Sequence, residues 1–153
     1  MRIILYLRCF GMKVEEIMRQ AVVVEPHTSV YETARLMSKN DTGSVLVKYG
    51  TTTGILTETD ILRKVIAQDL DPRDVKAKDI MTKSCCTISA DSDIEEASEV
   101  FNQKNIRRLP IIKEGRIAGI VTTKEVAKNL RFALLKRRQE YGNEPGGASS
   151  LRR

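Results

Sequence analysis

Aromatic side chains and histidines are scarce in this chain of 153 residues. Tryptophan is absent, aromatic residues make up 5% of the sequence, and His27 is the single histidine. The hydrophobic core must therefore be built from aliphatic side chains. With one histidine, neither a zinc site nor a His-based catalytic triad can be assembled conventionally. The composition thus argues against metal centres and His-dependent enzymes.

Cysteines and long apolar runs are also few. Cys9, Cys85 and Cys86 are odd in number, and two of them are neighbours, so they form no disulfide framework. A reducing, cytoplasmic setting fits this usage best. The apolar run Ile3–Leu7 is only five residues long before Arg8. It predicts neither a transmembrane segment nor a signal peptide, and we expect no membrane association.

The positive charge is concentrated at the end of the chain. The net charge is +6, and the residues from Arg131 onward carry +4 of it. A nucleic-acid-binding protein should carry its basic patch on the folded body, so the charge is weak support for that function. The cluster Lys136–Arg138 also suits the C-terminal end of a helix.

One short stretch occurs twice, 65 residues apart. It runs from Gly54 to Asp60 and again from Gly119 to Glu125: a glycine, two aliphatic residues, a threonine, and an acid three residues later. Each copy leads into helical spacing, which predicts a strand that turns into a helix. Internal repetition of this kind predicts an intramolecular pair with approximate twofold symmetry.

Each copy predicts the same order of elements, β-α-β-β-α. Short apolar runs at Ala21–Val24 and Cys86–Ile88 predict the first strands. Capping boxes of the form S-x-x-E, at Ser29 and at Ser92, predict where the next helices begin. The expected fold class is α+β, with the two repeats packed against each other.

The same pattern divides the chain. We expect an N-terminal extension over residues 1–13, which is either an added arm or a segment preceding a true start at Met12. The first repeat then covers 14–70 and the second 71–130. Residues 131–153 read as a basic helix end followed by a disordered tail of linker composition.

These features, in this order, resemble a tandem pair of CBS domains, the module named after cystathionine β-synthase. The matching marks are Ile17–Met18, Ile80–Thr82, the run Asn105–Pro110 and both repeated turns, and the resemblance covers about Val14–Leu130. It implies a regulatory, energy-sensing module that binds AMP, ADP, ATP or S-adenosylmethionine in clefts between the repeats. It also implies a homodimer, an effector protein as partner, and neither enzyme activity nor a bound cofactor.

The resemblance assigns roles to residues around the first turn. Asp60 would accept hydrogen bonds from ribose hydroxyls, Thr57 would face the sugar or phosphate, and Thr82 would complete this site from the opposite repeat. Ile88 would line the adenine slot, or else simply pack in the core. From spacing alone, helix capping is the favoured explanation for Thr57 and Asp60, and it does not exclude the role that the resemblance assigns.

The second turn departs from the family pattern. Thr122 and Glu125 keep the cap but replace aspartate with glutamate, and Arg19 stands where the first site has Thr82. We therefore expect the Asp60 site to be the better one. Arg107 and Arg108 would contact phosphates, because arginine donates bidentate hydrogen bonds to phosphate oxygens.

Two further classes of function fit the sequence less well. A protein- or nucleic-acid-interaction module acting through the basic tail is the alternative, although nucleic acid is not favoured because no aromatic residues are interleaved with the charges. An enzyme is disfavoured, since the sequence has no nucleophile–base pair, metal cluster or phosphate-binding loop.

Overall fold

The computed structural model describes residues 11–49 and 52–130. The expectations for residues 1–10 and for the tail from Arg131 onward lie outside this range. In the first half the elements are α1 (Val14–Ile17), β1 (Val23–Val24), α2 (Val30–Lys39), β2 (Ser44–Tyr49), β3 (Thr52–Thr57) and α3 (Glu58–Lys64). In the second half they are α4 (Ala77–Ile80), β4 (Ile88–Ser89), α5 (Ile94–Lys104), β5 (Arg108–Lys113), β6 (Arg116–Thr122) and α6, described over residues 123–130.

Two three-stranded sheets confirm the predicted repeat and its α+β class. In the first, β1 pairs with β2 in parallel and β2 pairs with β3 in antiparallel fashion. The second sheet repeats this arrangement with β4, β5 and β6. Ser44 lies opposite Thr57, and Arg108 lies opposite Thr122, so the threonine of each repeated turn ends its sheet at the same place.

Each half exchanges its first short helix with the other. Val14 of α1 is fully buried in the second core, among residues such as Ile94 and Leu109. Ala77 and Ile80 of α4 are buried in the first core. Because these helices cover the opposite sheet, neither core can form from one sequence repeat alone.

The glycines of the repeated turns make this exchange possible. A Cβ at Gly119 would lie 2.7 Å from the backbone oxygen of Arg19, and one at Gly54 would lie 2.5 Å from Sδ of Met81. Backbone hydrogen bonds link the same segments, from Arg19 N to Ile120 O at 2.9 Å and from Thr82 N to Ile55 O at 2.8 Å. Only glycine lets the chain that follows each short helix come this close.

Several local predictions hold, and others need correction. The cap at Ser29 is confirmed, since its Oγ accepts a hydrogen bond from Glu32 N at 3.1 Å. The capping box at Ser92 is wrong: the helix begins at Ile94, and its N-terminal cap is Asp93, whose carboxylate instead accepts a hydrogen bond from Lys13 Nζ at 2.9 Å.

Element lengths also differ from the prediction. The first strands contain only two residues each, because the parallel ladder to the next strand is short. The helix after Thr57 is only seven residues long. It ends at Lys64 and is followed by a 3₁₀ turn over Ile66–Gln68.

Candidate functional site

A cavity of about 720 Å³ lies where the two halves meet, on the side of the second repeated turn. Its walls come from the chain before β1, the end of α2, the start of α3, the start of β5 and the junction of β6 with α6. The lining residues that carry charge are Arg19, Asp41, Glu58, Arg107, Arg108, Lys124 and Glu125. Thr122 and Ser44 also line it.

Glu125 is held by the helix start that the sequence predicts. Its Oε2 accepts a hydrogen bond from Thr122 N at 3.0 Å and another from the Thr122 hydroxyl. Lys124 N donates to that hydroxyl at 3.2 Å. Both bonds to the carboxylate use one oxygen, and no described residue donates a hydrogen bond to Oε1. Glu125 therefore caps the helix and retains an acceptor at the cavity wall.

Arg107 and Arg108 are brought to the same cavity. The backbone oxygen of Arg107 accepts a hydrogen bond from Thr123 N at 3.1 Å, which fixes this strand start beside the second turn. The Arg108 side chain is only 20% exposed, and its Nη2 lies 3.5 Å from Oε1 of Glu58 in the other half. A half-buried guanidinium at a cavity wall is suited to hold an anionic group.

Arg19 also lines the cavity. Its backbone pairs with Ile120 in both directions, at 2.9 and 3.0 Å, so the segment after α1 extends the edge of the second sheet. Arg19 occupies the position that Thr82 holds in the first site, and an arginine there departs from the family pattern. In the structure it adds a fourth basic residue to the cavity, beside Arg107, Arg108 and Lys124.

The first turn has the same cap but different surroundings. Asp60 Oδ2 accepts hydrogen bonds from Thr57 N at 3.0 Å and from Thr57 Oγ1 at 2.7 Å. Its other oxygen, Oδ1, lies 2.8 Å from Lys64 Nζ, which also donates to Ile80 O at 2.6 Å. Thr57 and Asp60 are not among the residues that line the cavity.

The pairing with Lys64 changes the acidity of Asp60. Burial would raise the pKa of Asp60, but the hydrogen bonds from Lys64 and Thr57 and the charge of Lys64 lower that pKa below its ordinary value. Both oxygens of this carboxylate are thus engaged within the chain. The described cavity lies at Glu125, and the expected preference for the Asp60 site stays a prediction.

Thr82 and Ile88 also lie away from the cavity. Thr82 is exposed and pairs with Ile55, two residues before Thr57, so it does reach the first turn from the opposite repeat. Ile88 is 6% exposed, packs in the second core and pairs with Ile111. Core packing, the simpler of its two interpretations, accounts for this position.

Sequence reasoning missed Lys64 and Glu58. Lys64 follows Asp60 by four residues, a spacing that places two side chains on one helix face, so the signal was present. Glu58 contacts Arg108 across 50 positions of sequence, which no local pattern predicts.

Within the described ranges, no helix is long and apolar enough to cross a membrane, and no three potential metal-ligating side chains cluster together.

Comparison with known families identifies the repeat. The profile of the CBS domain matches this chain twice, over residues 14–67 and 77–131. An uncharacterized protein of Methanocaldococcus jannaschii is 34% identical over 116 residues, which cover 73% of this chain and 62% of that protein. The CBS domain-containing protein YhcV of Bacillus subtilis is 31% identical over 72% of this chain and 79% of its own length. The match thus spans less than two thirds of the archaeal relative.

Solved structures have the same fold. An uncharacterized conserved protein from Pyrococcus horikoshii is 30% identical with a TM-score of 0.70, covering 79% of this chain and 93% of its own. Hypoxic Response Protein I, solved with two coordinated zinc ions, is 29% identical with a TM-score of 0.66, covering 76% and 98%. A hexameric CBS-CP12 protein from bloom-forming cyanobacteria is 25% identical with a TM-score of 0.72, covering 92% and 79%.

Proposed function

Since this chain belongs to the CBS domain family, a class that is generally regulatory and ligand-binding, we propose that it binds an adenine nucleotide in the cavity at Glu125. The observation that carries this proposal is the convergence of a half-buried arginine and a capped carboxylate on one cavity. A volume of about 720 Å³ lies within the range of small-molecule sites.

The basic side of the cavity is suited to the phosphates. Arg107 and Arg108 enter from the start of β5, Arg19 from the segment after α1 and Lys124 from the first turn of α6. The N-terminal end of a helix adds its positive dipole to these charges. These positive charges and the helix dipole would all attract an anionic group, and we therefore propose that the phosphates bind here.

The carboxylate of Glu125 is suited to the ribose. A sugar presents hydroxyl donors, and Oε1 of Glu125 is an acceptor at the cavity wall without a hydrogen bond from the described residues. Such a bond is charge-assisted and therefore stronger than a neutral one. The carboxylate of Asp60 offers no comparable acceptor, because Lys64 and Thr57 already donate to it.

The proposed output is regulatory. The nucleotide is a sensed ligand rather than a cofactor, the chain catalyses no reaction, and an effector protein reads the bound state. We propose a homodimer as the assembly, although the related CBS-CP12 protein is hexameric. The alternative, an interaction module acting through the basic tail, rests on residues outside the described part of the chain, and no observation favours it.

Isothermal titration calorimetry with AMP, ADP, ATP and S-adenosylmethionine tests the proposal. Glu125→Gln removes the charge of the acceptor and should weaken binding by about 1–3 kcal/mol. Asp60→Asn is the matched control in the other turn and should leave the affinity unchanged. Absence of heat with all four ligands would refute nucleotide binding, and a loss in the control alone would move the site to the first turn.

A further inference from the structure

Glu58 is an acid placed against the main phosphate-binding candidate of the cavity. It is the first residue of α3, directly after the first repeated turn, yet its side chain lines the cavity of the second turn. Its Oε1 lies 3.5 Å from Nη2 of Arg108. The two residues come from different halves of the molecule, so this contact crosses the cleft.

Local backbone structure holds the contact in place. Glu58 N donates a hydrogen bond to Gly43 O at 3.1 Å, which fixes the start of α3 against the end of the loop between α2 and β2. A Cβ at Gly43 would collide with Oε2 of Glu58 and lie 2.7 Å from Nη2 of Arg108. The missing side chain of Gly43 therefore provides the room in which carboxylate and guanidinium meet.

The two partners are not equally constrained. The Arg108 side chain is 20% exposed and the Glu58 side chain is 67% exposed. An exposed carboxylate at this distance adds little stability, so its replacement by another anion costs the protein little. Arg108 is therefore the fixed cation, and Glu58 is the anion that can be displaced.

The second half has no equivalent acid. The position that matches Glu58 in the repeat is Thr123, which is neutral. With Glu58 included, the cavity is lined by four basic residues (Arg19, Arg107, Arg108, Lys124) and three acidic ones (Asp41, Glu58, Glu125). The basic excess is thus small, and it suits a ligand of low negative charge better than one with a long phosphate chain.

We propose that Glu58 is a tethered competitor for Arg108 that makes the cavity select a nucleoside monophosphate over a triphosphate. This inference rests on the proposed nucleotide site and adds the class of nucleotide. A bound phosphate replaces the carboxylate of Glu58 on the guanidinium of Arg108. Each further phosphate adds negative charge near Glu58 and is repelled by it.

The test uses the full chain and Glu58→Gln, which removes the charge and keeps the size of the side chain. The wild-type protein should bind AMP more tightly than ATP in calorimetric titrations at fixed ionic strength. In Glu58→Gln the dissociation constant for ATP should fall about fivefold, and that for AMP about twofold at most. Glu32→Gln, in the first turn of α2 and away from the cavity lining, removes the same charge and should change neither constant.

Each result decides between roles for Glu58. Weaker binding of both nucleotides in Glu58→Gln would overturn the inference, because it would make Glu58 a residue that positions Arg108. Equal gains in Glu58→Gln and Glu32→Gln would also overturn it, since net charge alone would then explain the effect. Binding of AMP and ATP with unchanged constants refutes the role of Glu58 alone, whereas no binding to any of the proteins refutes the nucleotide site as well.

Discussion

The two repeated turns have the same cap and opposite surroundings. In both, the acid three residues after a threonine accepts hydrogen bonds from the backbone N and the hydroxyl of that threonine at the start of a helix. One turn later the chain differs: Lys64 pairs with Asp60, whereas the matching Asn129 donates to the backbone oxygen of Glu125 at 2.8 Å. A single residue on the same helix face thus decides whether the carboxylate is neutralised within the chain.

The two repeats also differ in the charges that they carry at equivalent positions. Arg107 and Arg108 have no basic counterparts in the stretch Asp41–Ser44, and Arg19 has Thr82 as its counterpart. All three basic residues line the cavity at Glu125. Charges that are unevenly shared between equivalent positions leave the fold symmetric and make the two clefts electrostatically different.

The largest expected difference concerns the two glycines. In Gly119→Ala the new Cβ meets the backbone oxygen of Arg19 at 2.7 Å, which cannot move without shifting the sheet edge. In Gly54→Ala it meets mainly Sδ of Met81, a flexible side chain. We expect losses in unfolding free energy of about 3 kcal/mol for Gly119→Ala and about 1 kcal/mol for Gly54→Ala.

Urea unfolding at neutral pH, monitored by circular dichroism, measures both glycine variants. Alanine can adopt the backbone conformation of both glycines without strain, since neither glycine has a positive φ. The measured losses therefore report the close contacts of the new Cβ. Equal losses would show that the contacts around Gly54 and Gly119 are equally rigid in solution. The two turns would then not differ in this respect.

The second prediction compares two cations, Arg108 at the cavity and Lys64 beside the first turn. Arg108→Met should weaken nucleotide binding by about 1.5–3 kcal/mol, because a charge-assisted bond to phosphate is lost. Lys64→Met also removes one positive charge, but Lys64 lies on Asp60 and outside the cavity lining. It should leave the affinity unchanged in the same calorimetric titration. A comparable loss in both variants would mean that the ligand contacts the first turn.

Local structure was largely predictable from the sequence. The period of the repeat, the element order, and the helix starts at Ser29 and Thr57 depend on neighbouring residues and on hydrogen bonds within one turn. The start of α5 at Ile94 was missed because two adjacent residues could cap it. Asp93 occupies the N-cap position but makes no capping hydrogen bond with its side chain, because its carboxylate binds Lys13, a residue 80 positions away.

Long-range arrangement was not predictable in the same way. Val14 packs in the second core. This depends on which sheet has an apolar face for α1 to bury, and no local sequence pattern predicts it. The contact between Glu58 and Arg108 likewise exists only once the halves are assembled. The pairing of Asp60 with Lys64 differs, because its four-residue spacing is readable from the sequence.

The smallest expected effect is the pH dependence that the first turn contributes to stability. The folded pKa of Asp60 is lowered from its ordinary value of 3.8 by Lys64 and Thr57, against the opposing effect of burial. A lowered folded pKa gives stability that is present above the unfolded pKa and is lost as the pH falls through the folded one. The window therefore lies below about pH 4, and the contribution is under about 1 kcal/mol, because Lys64 is largely exposed and pairs at this spacing are weak.

Urea unfolding at pH 6 and pH 3 separates this contribution from the rest of the acid response. Asp60→Asn keeps an oxygen that can cap the helix but does not titrate, so the stability gap between wild type and variant should narrow at pH 3. In a protein that already carries Lys64→Met, Asp60→Asn should change the free energy of unfolding at pH 6 by less than it does in the wild type, because the principal cation on Asp60 is gone. A gap that stays constant between the two pH values would mean that Asp60 and Lys64 are apart in solution, and the contrast between the two turns would then depend on the cavity alone.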